Sequence, residues 1–183
     1  GQEIIDLINA ISTNVTHFFR ENQHFDFIKS KVLDELRLKK DLQQSNKMRI
    51  WSCASSSGEE PYSIAMTFLE NMERWHRYNF MILGSDISTK VLNIAEKGIY
   101  PEKKADSIPR LLRMKYFRKL KKNGETEFQV KDRVKQHIIF RRMNLMAQDF
   151  PFRNQLDIIF CRNVLIYFDK PTQTELIRKF YQH

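Results

Sequence analysis

The stretch Met48-Arg49-Ile50-Trp51-Ser52-Cys53-Ala54-Ser55-Ser56-Ser57-Gly58-Glu59-Glu60-Pro61 constrains the fold more than any other part of the chain. A short apolar run of β type stops in five small residues, and a helical pattern begins at once. Glu59 and Glu60 complement the positive end of a helix dipole, Pro61 suits a first turn, and Ile64, Ala65, Phe68, Leu69 and Met72 form an apolar stripe. The order then repeats with an apolar run over 80–83, a turn Gly84-Ser85-Asp86, and a helix capped by Ser88 and closed by Gly98. Strand, helix, strand, helix predicts an α/β fold with a parallel sheet flanked by helices, and places ligands at the carboxyl ends of the strands.

On either side of this core the pattern changes. Residues 3–11 have helical spacing, and Phe25, Ile28, Val32, Leu33 and Leu36 mark a second amphipathic helix, so residues 1–46 read as a helical N-terminal part. Residues 47–183 read as the α/β domain, interrupted over about 101–142 by a helix near 108–117 and a small hairpin turning at Asn123-Gly124. The alternation resumes with Ile138-Ile139-Phe140, the loop Asn144-Leu145, a buried strand over 156–160 and a final helix from Pro171. A parallel sheet ending on a helix looks unfinished, which suggests a fragment without its last strands.

Composition narrows the function classes. Five Gly and five Pro among 183 residues leave no low-complexity linker, and no apolar run approaches the ~18 residues needed to cross a bilayer. The start Gly1-Gln2-Glu3 lacks the layout of a signal peptide, so a cytoplasmic protein without membrane insertion is expected. Cys53 and Cys161 are far apart in sequence and the five histidines show no ligand spacing, so reduced thiols and no metal are expected. Fourteen Lys and Arg against five Asp and Glu over 101–142 account for the whole net charge of +9. That segment is either a solvated face or a docking surface for an acidic partner.

Several strand-end residues could carry chemistry. The turn 53–58 has one glycine, matching neither a dinucleotide fingerprint nor a P-loop, and the adjacent Glu59 and Glu60 would repel a pyrophosphate but attract a sulfonium or ammonium group. Dipole compensation is the plainer reading of both. Asp86, one βαβ unit further on, is an ordinary turn residue or a ribose acceptor. Asn144-Leu145 and Cys161-Arg162-Asn163 would reach the same edge of the sheet.

Taken together, TNVTHFFRE (13–21), WSCASSSGEEPYSIA (51–65), GSDIS (84–88), NLM (144–146) and IIFCRNVLIYFDKPTQ (158–173) resemble the chemotaxis receptor methyltransferases of the CheR type. The resemblance implies a Rossmann-like S-adenosylmethionine domain with an inserted β-subdomain and a helical N-terminal part. It implies a cofactor pocket of Asn14, Thr16, Arg20, Glu60 with Glu59 beside it, Asp86 on the ribose, Asn144, Leu145, Arg162 and Asn163. Arg20 and Tyr167 would border the reactive methyl group; their plain readings are a helix-surface cation and an aromatic core element.

The implied reaction transfers a methyl group to glutamate side chains of chemotaxis receptors, giving a methyl ester and S-adenosylhomocysteine. The receptors' methylation regions are acidic helical bundles in this family, which gives the basic insertion a partner. A nucleic-acid methyltransferase is disfavoured, because Cys161-Arg162-Asn163-Val164 stands where base-methylating enzymes carry an Asp/Asn-Pro-Pro-aromatic string. A non-catalytic module binding the cofactor or its product is the other alternative.

Overall fold

The computed structural model describes residues 16–72 and 77–183. Helix α1 (Gln23–Phe27) runs through a π-helical turn (Ile28–Val32) into α2 (Leu33–Leu42). Strand β1 (Lys47–Cys53), α3 (Glu59–Met72), β2 (Asn79–Asp86) and α4 (Thr89–Lys97) follow. A small unit then comprises β3 (Ile99–Pro101), α5 (Glu102–Ala105), α6 (Arg110–Tyr116), β4 (Phe117–Lys122), β5 (Glu125–Val130) and α7 (Asp132–Lys135). The main layer resumes with β6 (Ile138–Arg142), β7 (Ile158–Cys161), a 3₁₀ turn (Leu165–Tyr167) and α8 (Lys170–Tyr181). The expected helix over 3–11 lies outside the described residues, and among those described no helix is long and apolar enough to cross a membrane.

The main sheet is parallel, with order β6-β2-β1-β7. The chain leaves β1 toward β2 on one side and later returns to pair β7 on the other, so the winding reverses between β1 and β7; an open α/β sheet binds ligands at such a point. Alternation along β1 builds a core on each face: Met48 and Ile50 join the large cluster with Ile64, Phe68 and Phe80, whereas Trp51 and Cys53 face Phe150 and Leu176. Trp51 makes edge contacts with Phe150, Phe152 and Phe180 at 4.9, 4.8 and 5.4 Å, and its indole N–H donates to Ser85 Oγ at 2.8 Å.

The expected caps form: Ser88 accepts from the Val91 amide, and Gly98 closes α4 in the left-handed region at φ 59°. The hairpin also forms, β4 and β5 pairing antiparallel around Asn123-Gly124. The small unit and its flanks are built as follows. Ile99–Pro101 form an edge strand of its sheet, order β3-β5-β4, too short to carry a periodic signal. Arg141 and Arg142 lie instead on β6, in register with Ser85 and Asp86. The last strand begins at Ile158 rather than 156, because Asp157 turns inward to accept from the Arg49 amide at 2.8 Å and pair with Lys40 at 2.7 Å. That buried pair ties α2 to the sheet.

Candidate functional site

The carboxyl ends of β1, β2, β6 and β7 lie along one edge, with Cys53 in register with Ser85 and Cys161, and Asp86 with Arg142. The loop leaving β1 is wound tightly. Ala54, Ser56 and Gly58 all have positive φ, at 53°, 48° and 94°. At Gly58 a Cβ would come within 2.8 Å of Ala95 Cβ and 3.1 Å of the Tyr100 hydroxyl, so only glycine fits between loop and α4. Non-glycine residues in this region cost of order 1–3 kcal/mol and persist where their surroundings over-determine them. Here the surroundings are explicit: the Ser56 amide donates to Asp86 Oδ2 at 2.9 Å, the Ser55 amide to the Ser85 carbonyl at 2.8 Å, and the Tyr100 hydroxyl to the Ser57 carbonyl at 2.7 Å.

Asp86 also accepts from the Ser88 amide at 2.9 Å on its other oxygen. Burial raises its pKa above the ordinary aspartate value, against the pull of these amides. The Ile87 amide also bonds to this carboxylate, which with about four lone-pair sites still has room for a ligand hydroxyl. Glu60 is likewise pushed up by burial, while Ser52 Oγ donates to it at 2.7 Å and Arg162 Nη1 at 3.2 Å. The Arg162 guanidinium draws the crevice together: beyond Glu60 it donates to the Arg20 carbonyl and to Glu21 Oε2 at 3.2 Å. Asn163, left-handed at φ 57°, donates to Glu21 Oε1 at 3.1 Å. These bonds, led by that from Asn163, hold the Glu21 carboxyl below the usual glutamate range.

The N-terminal segment is thus stitched across the β1–β7 crevice. Phe18 packs edge-on against Tyr100 and Phe117 of the small unit at 4.9 and 5.6 Å, and the Phe19 amide donates to Ser63 Oγ at 3.0 Å. Arg20, Glu60, Arg162 and Asn163 are brought to one network, and Asp86 to the loop that borders it. Arg20 itself is half-buried, its Nε 3.9 Å from Glu21 Oε1. Tyr167, on the 3₁₀ turn, is 62% exposed and so is not a core element. Asn144 forms its own turn, Oδ1 accepting from the Met146 amide at 2.9 Å, and the Leu145 side chain is buried in the Trp51 cluster. Thr16 is half-buried at the start of the described chain, and Asn14 lies outside the described residues.

Glu59, beside Glu60 in the chain, is engaged elsewhere in the fold. Its side chain is 0% exposed and ion-paired with Lys104 of α5, with Ser57 Oγ donating to its other oxygen at 2.7 Å. Sequence reasoning passed over Glu21, Ser52 and Lys104. Glu21 adjoins Arg20 and could have been weighed with it, but nothing in the sequence joins Lys104 to a residue 45 positions away.

The comparisons decide the family. The CheR methyltransferase, SAM binding domain, matches residues 14–183. The chain belongs to this family. Its relatives include the chemotaxis protein methyltransferase of Borreliella burgdorferi, 48% identical over 97% of this chain and 62% of that protein. The probable chemotaxis protein methyltransferase of Rhizobium etli is 44% identical over 96% of this chain and 64% of that one. The chemotaxis protein methyltransferase of Escherichia coli is 37% identical over 94% and 57%. This CheR-family chain thus spans about three fifths of the length of these curated relatives. Among solved structures it is similar to magnesium protoporphyrin IX methyltransferase from Synechocystis with bound SAH, at 15% identity and TM-score 0.45 over 99% of this chain and 66% of that one.

The crevice fits a polar nucleoside ligand. Among the described residues, Ser55 Oγ and Arg162 Nε are buried without a hydrogen-bond partner, which costs about 1–3 kcal/mol each until a partner supplies an acceptor. Two carboxylates, the buried Asp86 and the half-buried Glu60, supply acceptors of their own. Among the described residues no three His, Cys, Asp or Glu side chains gather where a metal ion could sit.

Proposed function

We propose that the protein from which this chain comes is a protein-glutamate O-methyltransferase of chemotaxis receptors, working in the cytoplasm with S-adenosylmethionine. The observation that carries the reading is Arg162 joining Glu60, Glu21 and the Arg20 carbonyl at the ends of β1 and β7, with Asp86 closing the loop beside them. That residues scattered from 20 to 163 converge at one edge of the sheet supports the reading.

When bound, S-adenosylmethionine supplies the electrophilic methyl of its sulfonium. Glu60 would receive the cationic amino-acid end, Asp86 the ribose hydroxyls, and the donors Ser55 Oγ and Arg162 Nε, which have no partner among the described residues, the acceptors between. Arg20 would orient the incoming glutamate carboxylate with a bidentate fork, and Tyr167 would border the methyl group from its exposed turn. The substrate needs no general base, since a glutamate with an ordinary pKa of ~4.3 is already ionised at neutral pH. The residues' task is to align the carboxylate and exclude water from it. The cationic surface of the small unit, including Arg118, Lys119, Lys121 and Lys122, would steer the acidic receptor bundle.

The test is incorporation of labelled methyl groups into receptor fragments by the parent protein. Base-labile label on glutamates is expected. Label in nucleic acid instead, or cofactor binding with no transfer to any receptor, would overturn the reading in favour of a nucleic-acid methyltransferase or a non-catalytic binding module.

A further inference from the structure

Cys53 and Cys161, separated by more than a hundred residues, end neighbouring parallel strands in direct register. Both side chains lie on the Trp51 face of the sheet, Cys53 buried at 1% exposure and Cys161 partly accessible. Neighbouring strands are about 4.8 Å apart, inside the roughly 4.4–6.8 Å between Cα atoms that a disulfide spans. The thiols are unlike. The hydrogen bond with Cys53 holds Cys161 below the ordinary thiol range, whereas burial pushes Cys53 up. The partly accessible Cys161 is the sulfur that an oxidant reaches first, and the buried Cys53 stands against it as a resolving partner.

We propose that Cys53 and Cys161 form a reversible oxidation site closed by peroxides, and that its closure weakens ligand binding in the crevice. Peroxide oxidises the Cys161 thiolate to a sulfenic acid and leaves as hydroxide. The Cys53 sulfur then attacks that sulfur, the S–S bond forms, and the displaced hydroxyl departs with the Cys53 proton as water. Overall two thiols and one peroxide give one disulfide and two waters. A thiol reductant reverses the step.

The consequence for the crevice follows from what comes next in the chain on each strand. Cys53 leads directly into Ala54 and the wound loop, and Cys161 into Arg162, which holds Glu60 and Glu21. Drawing the sulfurs to bonding distance removes the Cys53 hydrogen bond to the Phe160 carbonyl, 2.9 Å long, and shifts both strand ends. This second half of the proposal rests on the cofactor reading above; the chemistry of the pair does not.

The test treats this chain with hydrogen peroxide and follows intact mass, free thiols and calorimetry with S-adenosylhomocysteine. The expected product has lost two hydrogens and both titratable thiols, binds S-adenosylhomocysteine weaker by about tenfold, and recovers with dithiothreitol. Cys53→Ser should halt at a sulfenic acid on Cys161, and Cys161→Ser should give neither product. Oxygen addition without hydrogen loss in the unsubstituted chain would overturn the pair as a site. A disulfide that leaves the titration unchanged would overturn its effect on the crevice. If even the reduced chain gives no heat with S-adenosylhomocysteine, the cofactor reading fails, while the mass still decides the thiol chemistry.

Discussion

Asp86 braces the Ser56 turn with its carboxylate, and under the proposed function the same carboxylate would receive ligand hydroxyls. Asp86→Ala should weaken S-adenosylhomocysteine binding by roughly 1.5–3 kcal/mol, the usual worth of charge-assisted hydrogen bonds, as read by calorimetry. An unchanged titration would reduce Asp86 to a turn residue. Its raised pKa, with that of Glu60, fixes a sign for pH dependence. A raised carboxyl contributes stability in full below its unfolded pKa and loses that contribution as pH rises through the folded one, so both sites are strained when ionised at neutral pH. Binding has the opposite sense, because a cationic ligand needs the ionised forms. Affinity should therefore fall on acidification, starting above the ordinary aspartate and glutamate values of 3.8 and 4.5. Affinity that holds until those ordinary values would show that neither carboxylate meets the ligand.

At the scale of elements, α3 is the member that the other units grip. Lys104 of α5 neutralises Glu59 at its first turn, while Tyr116 and Lys115 reach Glu70 near its end at 2.5 and 2.8 Å. The small unit therefore braces the helix that carries Glu60. Lys104→Met leaves the buried Glu59 without its ion partner and should cost about 2 kcal/mol in urea unfolding, moderated by the partial exposure of the lysine. Adding Glu59→Gln should recover part of the loss; strictly additive losses would mean that the two side chains are not coupled. Across the sheet, Asp157→Asn should cost about 3 kcal/mol, because Lys40 is then buried without a counter-charge. A midpoint unchanged in denaturant would remove that pair from the account of how α2 is held.

At the scale of the whole molecule, the charge excess falls within residues 101–142, which the small unit and β6 share. Lys119, Lys121 and Lys122 are exposed on edge strand β4, where lysines also discourage pairing with another chain's edge. Reversing all three to Glu should slow association of the parent protein with receptor and flatten its salt dependence. Equal association rates at low salt would leave edge protection as their role. The parallel alternation, the small-residue turn, the Ser88 and Gly98 caps and the Asn123-Gly124 hairpin were legible because each is set by neighbours within a few residues. Strand β3, the short helices α5 and α7, and the outer limits of the insertion were not, since three or four residues carry no period and take their form from what they pack against.

The amino-acid sequence by itself determined the α/β winding, the cationic insertion and the strand-end motifs that resemble CheR enzymes, because periodicity, turn chemistry and motif wording are local properties. Only the tertiary structure decided which long-range partners each residue meets. It paired Glu59 with Lys104, gave Arg162 three partners, and set Cys53 against Cys161. Those choices depend on strand register and on burial of charge, which arise when distant segments pack and leave no trace in sequence spacing.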